Sequence, residues 1–197
     1  MRTYALATCI NGKFKAYFYR EGYIRTSCRP FKLENLRDTL VHLTNDAVQK
    51  KAQNYGEQEP ANKLSYAEFQ DYLDINYEDL NISMERDIVP QFKAITTDCF
   101  LATFKNLNPS RLLNTFEIFG LDFMLDDTFK VSLIEVNTNP CLELCCPLLK
   151  RLIPGMIENS LILAVDPLYP PPSNFGYGNS REITPMNKYE LILDEDL

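Results

Sequence analysis

FEIFGLDFMLDDTFKVSLIEVNTNP, from Phe116 to Pro140, constrains the fold of this chain more than any other stretch. Apolar residues alternate on both sides of Asp126-Asp127, the pattern of two antiparallel strands joined by a turn. Alternation puts Glu135 and Asn137 on one face, with Val131 and Leu133 ahead of them on the same face. On the first strand Asp122 shares its face with Ile118, Gly120 and Met124. Pairing through the DDTFK turn brings Asp122 roughly opposite Glu135. Two carboxylates and a side-chain amide then converge in a hairpin that is otherwise apolar.

Oxygen-only donors with room for water suit Mg²⁺, whose shell phosphate oxygens commonly complete. Gly120 removes a side chain beside the cluster, as expected where a ligand approaches the backbone. The same spacing also fits an antiparallel sheet with one wet face. Asn137 with Asn139-Pro140 also fits turn chemistry. Spacing alone leaves both readings open.

Upstream, TYALATCI and KFKAYFY read as strands joined by Asn11-Gly12, a strong hairpin signal. YREGYIRTSC follows as a turn at Glu21-Gly22 and a short strand. FKLENLRDTLVHLTN carries leucines at helix-like or loop-packing spacing, and AVQKKAQNYGEQEPANK reads as a polar surface loop. Ser65-Tyr-Ala-Glu68 is a capping box opening a helix. Met84–Phe104 keeps one apolar helical face until Asn108-Pro109 breaks it. A further helix with Leu149, Leu152 and Met156 bends near Pro154. The order predicts an α+β fold, an antiparallel sheet with helices packed on one face. YPPPSNFGYGNS cannot be regular structure, and residues 173–197 are expected to be an irregular acidic tail.

Charge and cysteines narrow the function. The net charge of −7 argues against a nucleic-acid partner, and no apolar run is long enough for a membrane span. Residues 1–51 carry ten Lys/Arg against four Asp/Glu, a local +6, so a basic docking face for an acidic partner is one reading and a solvated face the other. The six cysteines include no CxxC pair and His42 is the only histidine, so reduced, half-buried thiols are expected rather than zinc or disulfides. A reducing compartment, cytosol or cytoskeleton, follows. Cys141, Cys145 and Cys146 are expected to pack at the start of the helix after NTNP.

FGLDFMLDDTFKVSLIEVNTNP resembles the C-terminal signature of the tubulin–tyrosine ligase family of ATP-grasp enzymes. YREGYIRTS with the downstream HLTN, QKKAQNYG and the closing PLYPPP extend the likeness from about Arg2 to Pro172, in order. QKKAQNYG and the YREG…HLTN region look most like the tyrosine-adding member. The resemblance implies that residues 1–172 form the C-terminal part of an ATP-grasp domain, with ATP and Mg²⁺ as cofactors and tubulin or microtubules as partner. It implies that Asp122, Glu135 and Asn137 hold Mg²⁺ beneath the ATP phosphates. Thr44 and Asn45 would sit at the nucleotide, and Arg25 and Arg2 would face the anionic acceptor or acyl-phosphate. Arginine's fixed fork suits an acyl-phosphate whose charge is spread over several oxygens.

In such enzymes an N-terminal half and a central lid supply phosphate-binding lysines and the adenine pocket, and the D-hydrophobic-R motif is here Met1-Arg2. The chain is therefore expected to bind a partner that covers the missing half, and to have little activity by itself. Two functions follow. One is ATP-dependent addition of an amino acid to tubulin tails. The other is a non-catalytic microtubule- or axoneme-associated protein derived from the ligase fold, in the cytoskeleton or cilium.

Overall fold

The computed structural model describes residues 1–110, 112–172 and 187–196. Its strands are β1 (Arg2–Ile10), β2 (Lys13–Tyr19), β3 (Ile24–Arg25), β4 (Lys63–Leu64), β5 (Thr115–Leu125), β6 (Val131–Asn137) and β7 (Tyr189–Asp194). Its helices are α1 (Thr39–His42), α2 (Asp46–Gln49), α3 (Tyr66–Asn76), α4 (Val89–Leu107) and α5 (Pro147–Ala164). A π-helical turn, Met84–Ile88, leads into α4. Five strands form one antiparallel sheet in the order β6-β5-β1-β2-β7, while β3 and β4 pair separately.

Local chemistry explains most boundaries. Asn11 and Gly12 both take positive φ (52° and 78°), the two-residue turn that matches strand twist in a tight hairpin. Ser65 and Glu68 close a reciprocal capping box that starts α3. Asp126 accepts from the backbone of Thr128 and Lys130 and so shapes the β5–β6 turn. The helix α5 runs unbroken through Pro154.

Helices cover both faces of the sheet, not one. Ala5, Ala7, Phe119, Leu121 and Phe123 pack with Leu73 of α3 and Phe92 and Phe100 of α4. The alternate residues Tyr4 and Leu6 pack with Leu149, Leu152 and Met156 of α5. The cause lies in β1, apolar at every position from Tyr4 to Ala7, which needs cover on both sides. The tail differs as well: NKYELILDEDL contains β7, which pairs with β2 through Tyr19↔Tyr189 and Ala16↔Leu193. Its alternating Tyr189, Leu191 and Leu193 were outweighed in the sequence by the flanking acids. The expectation of irregular structure around SNFGYGNS falls on residues 173–186, outside the described residues.

The polar stretch 47–63 is a loop with a short helix, α2, but three of its polar residues, Gln49, Asn62 and Lys63, are buried. Only Thr39–His42 of the ambiguous leucine-rich segment is helical; Phe31, Leu33 and Leu36 stay 71%, 70% and 74% exposed.

Candidate active site

The register of β1 with β5 makes Arg2 the partner of Asp122. Arg2 grips the carboxylate with both prongs of its fork, Nε to Oδ1 at 2.6 Å and Nη2 to Oδ2 at 2.9 Å. Arg25, on β3, adds a longer contact from Nη1 to Oδ2 at 3.5 Å. Both members of the main pair are buried, with 5% and 11% of the side chains exposed. Burial alone would push the Asp122 carboxyl up; the Arg2 hydrogen bonds and the charges of Arg25 and Arg2 outweigh it and hold it below the usual carboxylate range. Burial likewise opposes the Arg2 charge, yet Asp122 holds its pKa above the ordinary value.

Space between Arg2 and β5 is tight on the Gly120 side. A Cβ on Gly120 would lie 2.7 Å from the Pro140 Cβ and 3.0 Å from Arg2 Nη1. Only glycine lets the NTNP turn close over the guanidinium. Arg2 Nη1 is nonetheless buried without a hydrogen-bond partner, an orphan donor of the kind that a bound anion or water satisfies.

On the other side of Asp122 stands β6. Glu135 is the register partner of Asp122, and Asn137 of Gly120. The Asn137 Nδ2 donates to Glu135 Oε1 at 3.1 Å, so these two side chains share one face. Val131 and Leu133 do not lie there. Phe123 pairs with Leu133 while Asp122 pairs with Glu135, so Ile134 is an extra residue in β6. This bulge flips the alternation: Val131 and Leu133 join the core beneath α4, and Glu135 emerges on the α5 face beside Asp122. The strand pattern alone offered no signal for it.

The donor set fits a divalent cation in part. Glu135 is exposed, and Asn137 spends its amide nitrogen on Glu135, which leaves its amide oxygen as an acceptor. Both oxygens of Asp122 are already engaged by arginine. Among the described residues no group of three or more His, Cys, Asp or Glu side chains stands ready to hold a metal. The chemistry of Glu135 and Asn137 thus suits a hard cation, whereas Asp122 is committed to its arginines.

Thr44 is half-buried, and Asn45 uses its side chain to cap α2 by accepting from Ala47 N at 2.9 Å. No hydrogen bond or ion pair among the described residues joins either to the β5–β6 hairpin. Their neighbour Asp46 is tied instead to Lys63 of the β3–β4 ribbon, which pairs in register with Arg25. The Arg25 guanidinium lies 5.7 Å from the Tyr23 ring centroid and the Lys63 ammonium 6.0 Å. Sequence reasoning passed over Lys63, because a lysine in QEPANK reads as solvated.

Cysteines stand as separate thiols: Cys146 is buried at the start of α5, but Cys141 and Cys145 are exposed rather than packed. The basic first quarter is also narrower than its charge count. Arg2, Lys13, Lys15 and Arg20 pair with Asp122, Asp196, Asp194 and Glu190, acids from later in the chain. Among the described residues Lys32, Arg37 and Lys51 remain outside any ion pair.

An arginine fork over a buried aspartate, with an exposed carboxylate and an amide beside it on one sheet face, sets a fixed positive charge next to accessible oxygen donors. The model of the tubulin-tyrosine ligase family matches residues 1–173, and the chain belongs to that family. Ligases of this family are ATP-dependent. Among similar proteins, Tubulin glycylase 3A of Drosophila melanogaster is 35% identical over 164 residues, 81% of this chain and 16% of the relative. Protein polyglycylase TTLL10 of Rattus norvegicus is 30% identical over 171 residues, 84% of this chain and 24% of the relative. Protein monoglycylase TTLL8 of Mus musculus is 29% identical over 154 residues, 76% of this chain and 18% of the relative. The chain thus spans a quarter or less of these relatives. They support the family and not its tyrosine-adding member in particular.

Proposed function

We propose that this chain carries the metal and acyl-phosphate side of a ligase site that joins an amino acid to the acidic tail of tubulin at the expense of ATP. The observation that carries the reading is the joint placement of Arg2, Asp122, Glu135 and Asn137 on one face by the β1–β5–β6 register. Glu135 and Asn137 would hold Mg²⁺, which when bound neutralises phosphate charge. Asp122 fixes Arg2 and Arg25, and the unpartnered Arg2 Nη1 points to where an anion would be met. Thr44 and Asn45 would face the nucleotide. The names of the relatives favour glycine as the added amino acid. The ligase would work at microtubules in the cytoplasm, including those of the cilium.

A second reading rests on the irregular segment 29–37, where Phe31, Leu33 and Leu36 lie exposed among Lys32 and Arg37. Apolar side chains set among cations suit an acidic polypeptide carrying a few large side chains. On this reading the chain is a microtubule-binding protein that does no chemistry. The exposure of Glu135 favours it for the chain in isolation, because an acyl-phosphate needs shelter from water.

The deciding assay is ATP-dependent incorporation of labelled glycine, glutamate or tyrosine into tubulin by the purified chain. No incorporation, with tubulin still bound, is the expected result for the chain by itself. Incorporation that disappears in Glu135→Gln would make it a complete ligase.

A further inference from the structure

Lys63 is a buried ammonium that the chemistry above does not use. Only 1% of its side chain is exposed. Its Nζ meets both oxygens of Asp46, at 2.8 and 2.7 Å, and the Ala61 carbonyl at 3.1 Å. Asp46 directly follows Asn45 and begins α2. Gln49, buried at the other end of that helix, donates to the carbonyls of Leu43 and Leu40 and accepts from Cys28 N. The dipeptide Thr44-Asn45 is therefore held on both sides, through Leu43 by Gln49 and through Asp46 by Lys63. Lys63 also sits in β4 as the register partner of Arg25.

We infer that Lys63 is a positioning residue: by clamping Asp46 to the strand paired with Arg25, it sets the distance between Thr44-Asn45 and that arginine without itself touching nucleotide. The inference rests on the reading of Thr44 and Asn45 as nucleotide-facing. Its physical basis is the geometry of the joint. A buried lysine with two carboxylate contacts and a carbonyl contact has all three N–H donors used, so none is left for a ligand. A stretch of four residues, Leu43 to Asp46, held at both ends by buried side chains has little freedom to drift, and a drift of about 1 Å in a binding group can cost on the order of a hundredfold.

The test compares Lys63→Met and Lys63→Arg with the unaltered chain by two measurements, at temperatures where each is fully folded. Amide hydrogen exchange reads the joint: Lys63→Met should speed exchange at Ala47, Val48, Gln49 and Lys50 about tenfold and leave β1 and β5 unchanged. Binding of a fluorescent ATP analogue with Mg²⁺ reads the consequence: affinity should fall about tenfold in Lys63→Met and recover largely in Lys63→Arg. Faster exchange with unaltered affinity would show that Lys63 only stabilises the loop, and would overturn the inference. Unaltered exchange would overturn the clamp while leaving the nucleotide reading intact. Failure of the unaltered chain to bind the analogue would remove the nucleotide reading and the inference with it.

Discussion

Asp122 and Glu135 face each other across one strand pair, yet they live in different solvents. Asp122 sits on the inner strand β5, screened from water and gripped by Arg2. Glu135 sits on the rim strand β6, exposed, with a single bond from Asn137. A buried carboxylate is bound to its partners because each would be costly alone. An exposed carboxylate costs little to keep unpaired and stays available. The centre of the sheet thus supplies rigidity and a fixed positive charge, and the rim supplies an accessible carboxylate.

The strongest way to break this comparison is to remove the inner carboxylate. Asp122→Ala leaves the buried Arg2 without its counter-ion, a loss typically of about 3–5 kcal/mol. Urea unfolding should show that drop at unchanged m-value. A loss below about 1 kcal/mol would mean that Arg2 finds water, and that centre and rim are alike.

The two carboxylates also differ in how legible they were. The opposition of Asp122 and Glu135, the Asn11-Gly12 turn and the Ser65 capping box were readable, because each depends on neighbours a few residues away. The Arg2–Asp122 pair joins residues 120 apart in the chain and required the β1–β5 register, which no local pattern encodes. The bulge at Ile134 was invisible for a related reason. Strict alternation predicts Leu133 beside Glu135, whereas the extra residue lets Leu133 join Phe123 in the core and Glu135 the opposite face. Lys63 was missed because its burial depends on Asp46 and Tyr23, not on its own flanks.

A second perturbation tests the space around the inner pair. Gly120→Ala puts a methyl group against Pro140 and Arg2 Nη1. Pro140 is rigid and Arg2 is pinned, so strain of about 1–3 kcal/mol is expected. Thermal unfolding reads it. A neutral result would show that the NTNP turn moves aside freely.

Acid sharpens the contrast more gently. The folded-state pKa of Asp122 is depressed, so its stabilisation is present above the unfolded carboxylate value and lost as pH falls through the folded one. One extra proton bound by the unfolded chain gives a slope of at most about 1.4 kcal/mol per pH unit. Comparing the stability of the unaltered chain and Asp122→Asn between neutral and acid pH isolates this share from that of other depressed carboxylates such as Glu68 and Asp126. Parallel profiles would mean that Asp122 does not titrate with folding.

The smallest expected effect on stability belongs to the rim, and it is the most informative about function. Glu135→Gln removes a charge from an exposed side chain whose one bond, from Asn137 Nδ2, the glutamine oxygen can still accept. Stability should change by no more than about 0.5 kcal/mol, the usual range for surface substitutions. Binding should respond quite differently. A neutral amide is a far poorer ligand for a hard cation than a carboxylate, and Asn137 would then offer a second neutral oxygen and no charge. Titration with Mn²⁺ as a paramagnetic stand-in for Mg²⁺, in the presence of nucleotide, should show binding in the unaltered chain and its loss in Glu135→Gln. If instead Glu135→Gln keeps the cation while Asp122→Asn, still folded, loses it, the assignment reverses. The inner carboxylate would then release its arginines on binding metal, and the rim would be only a wet face of the sheet.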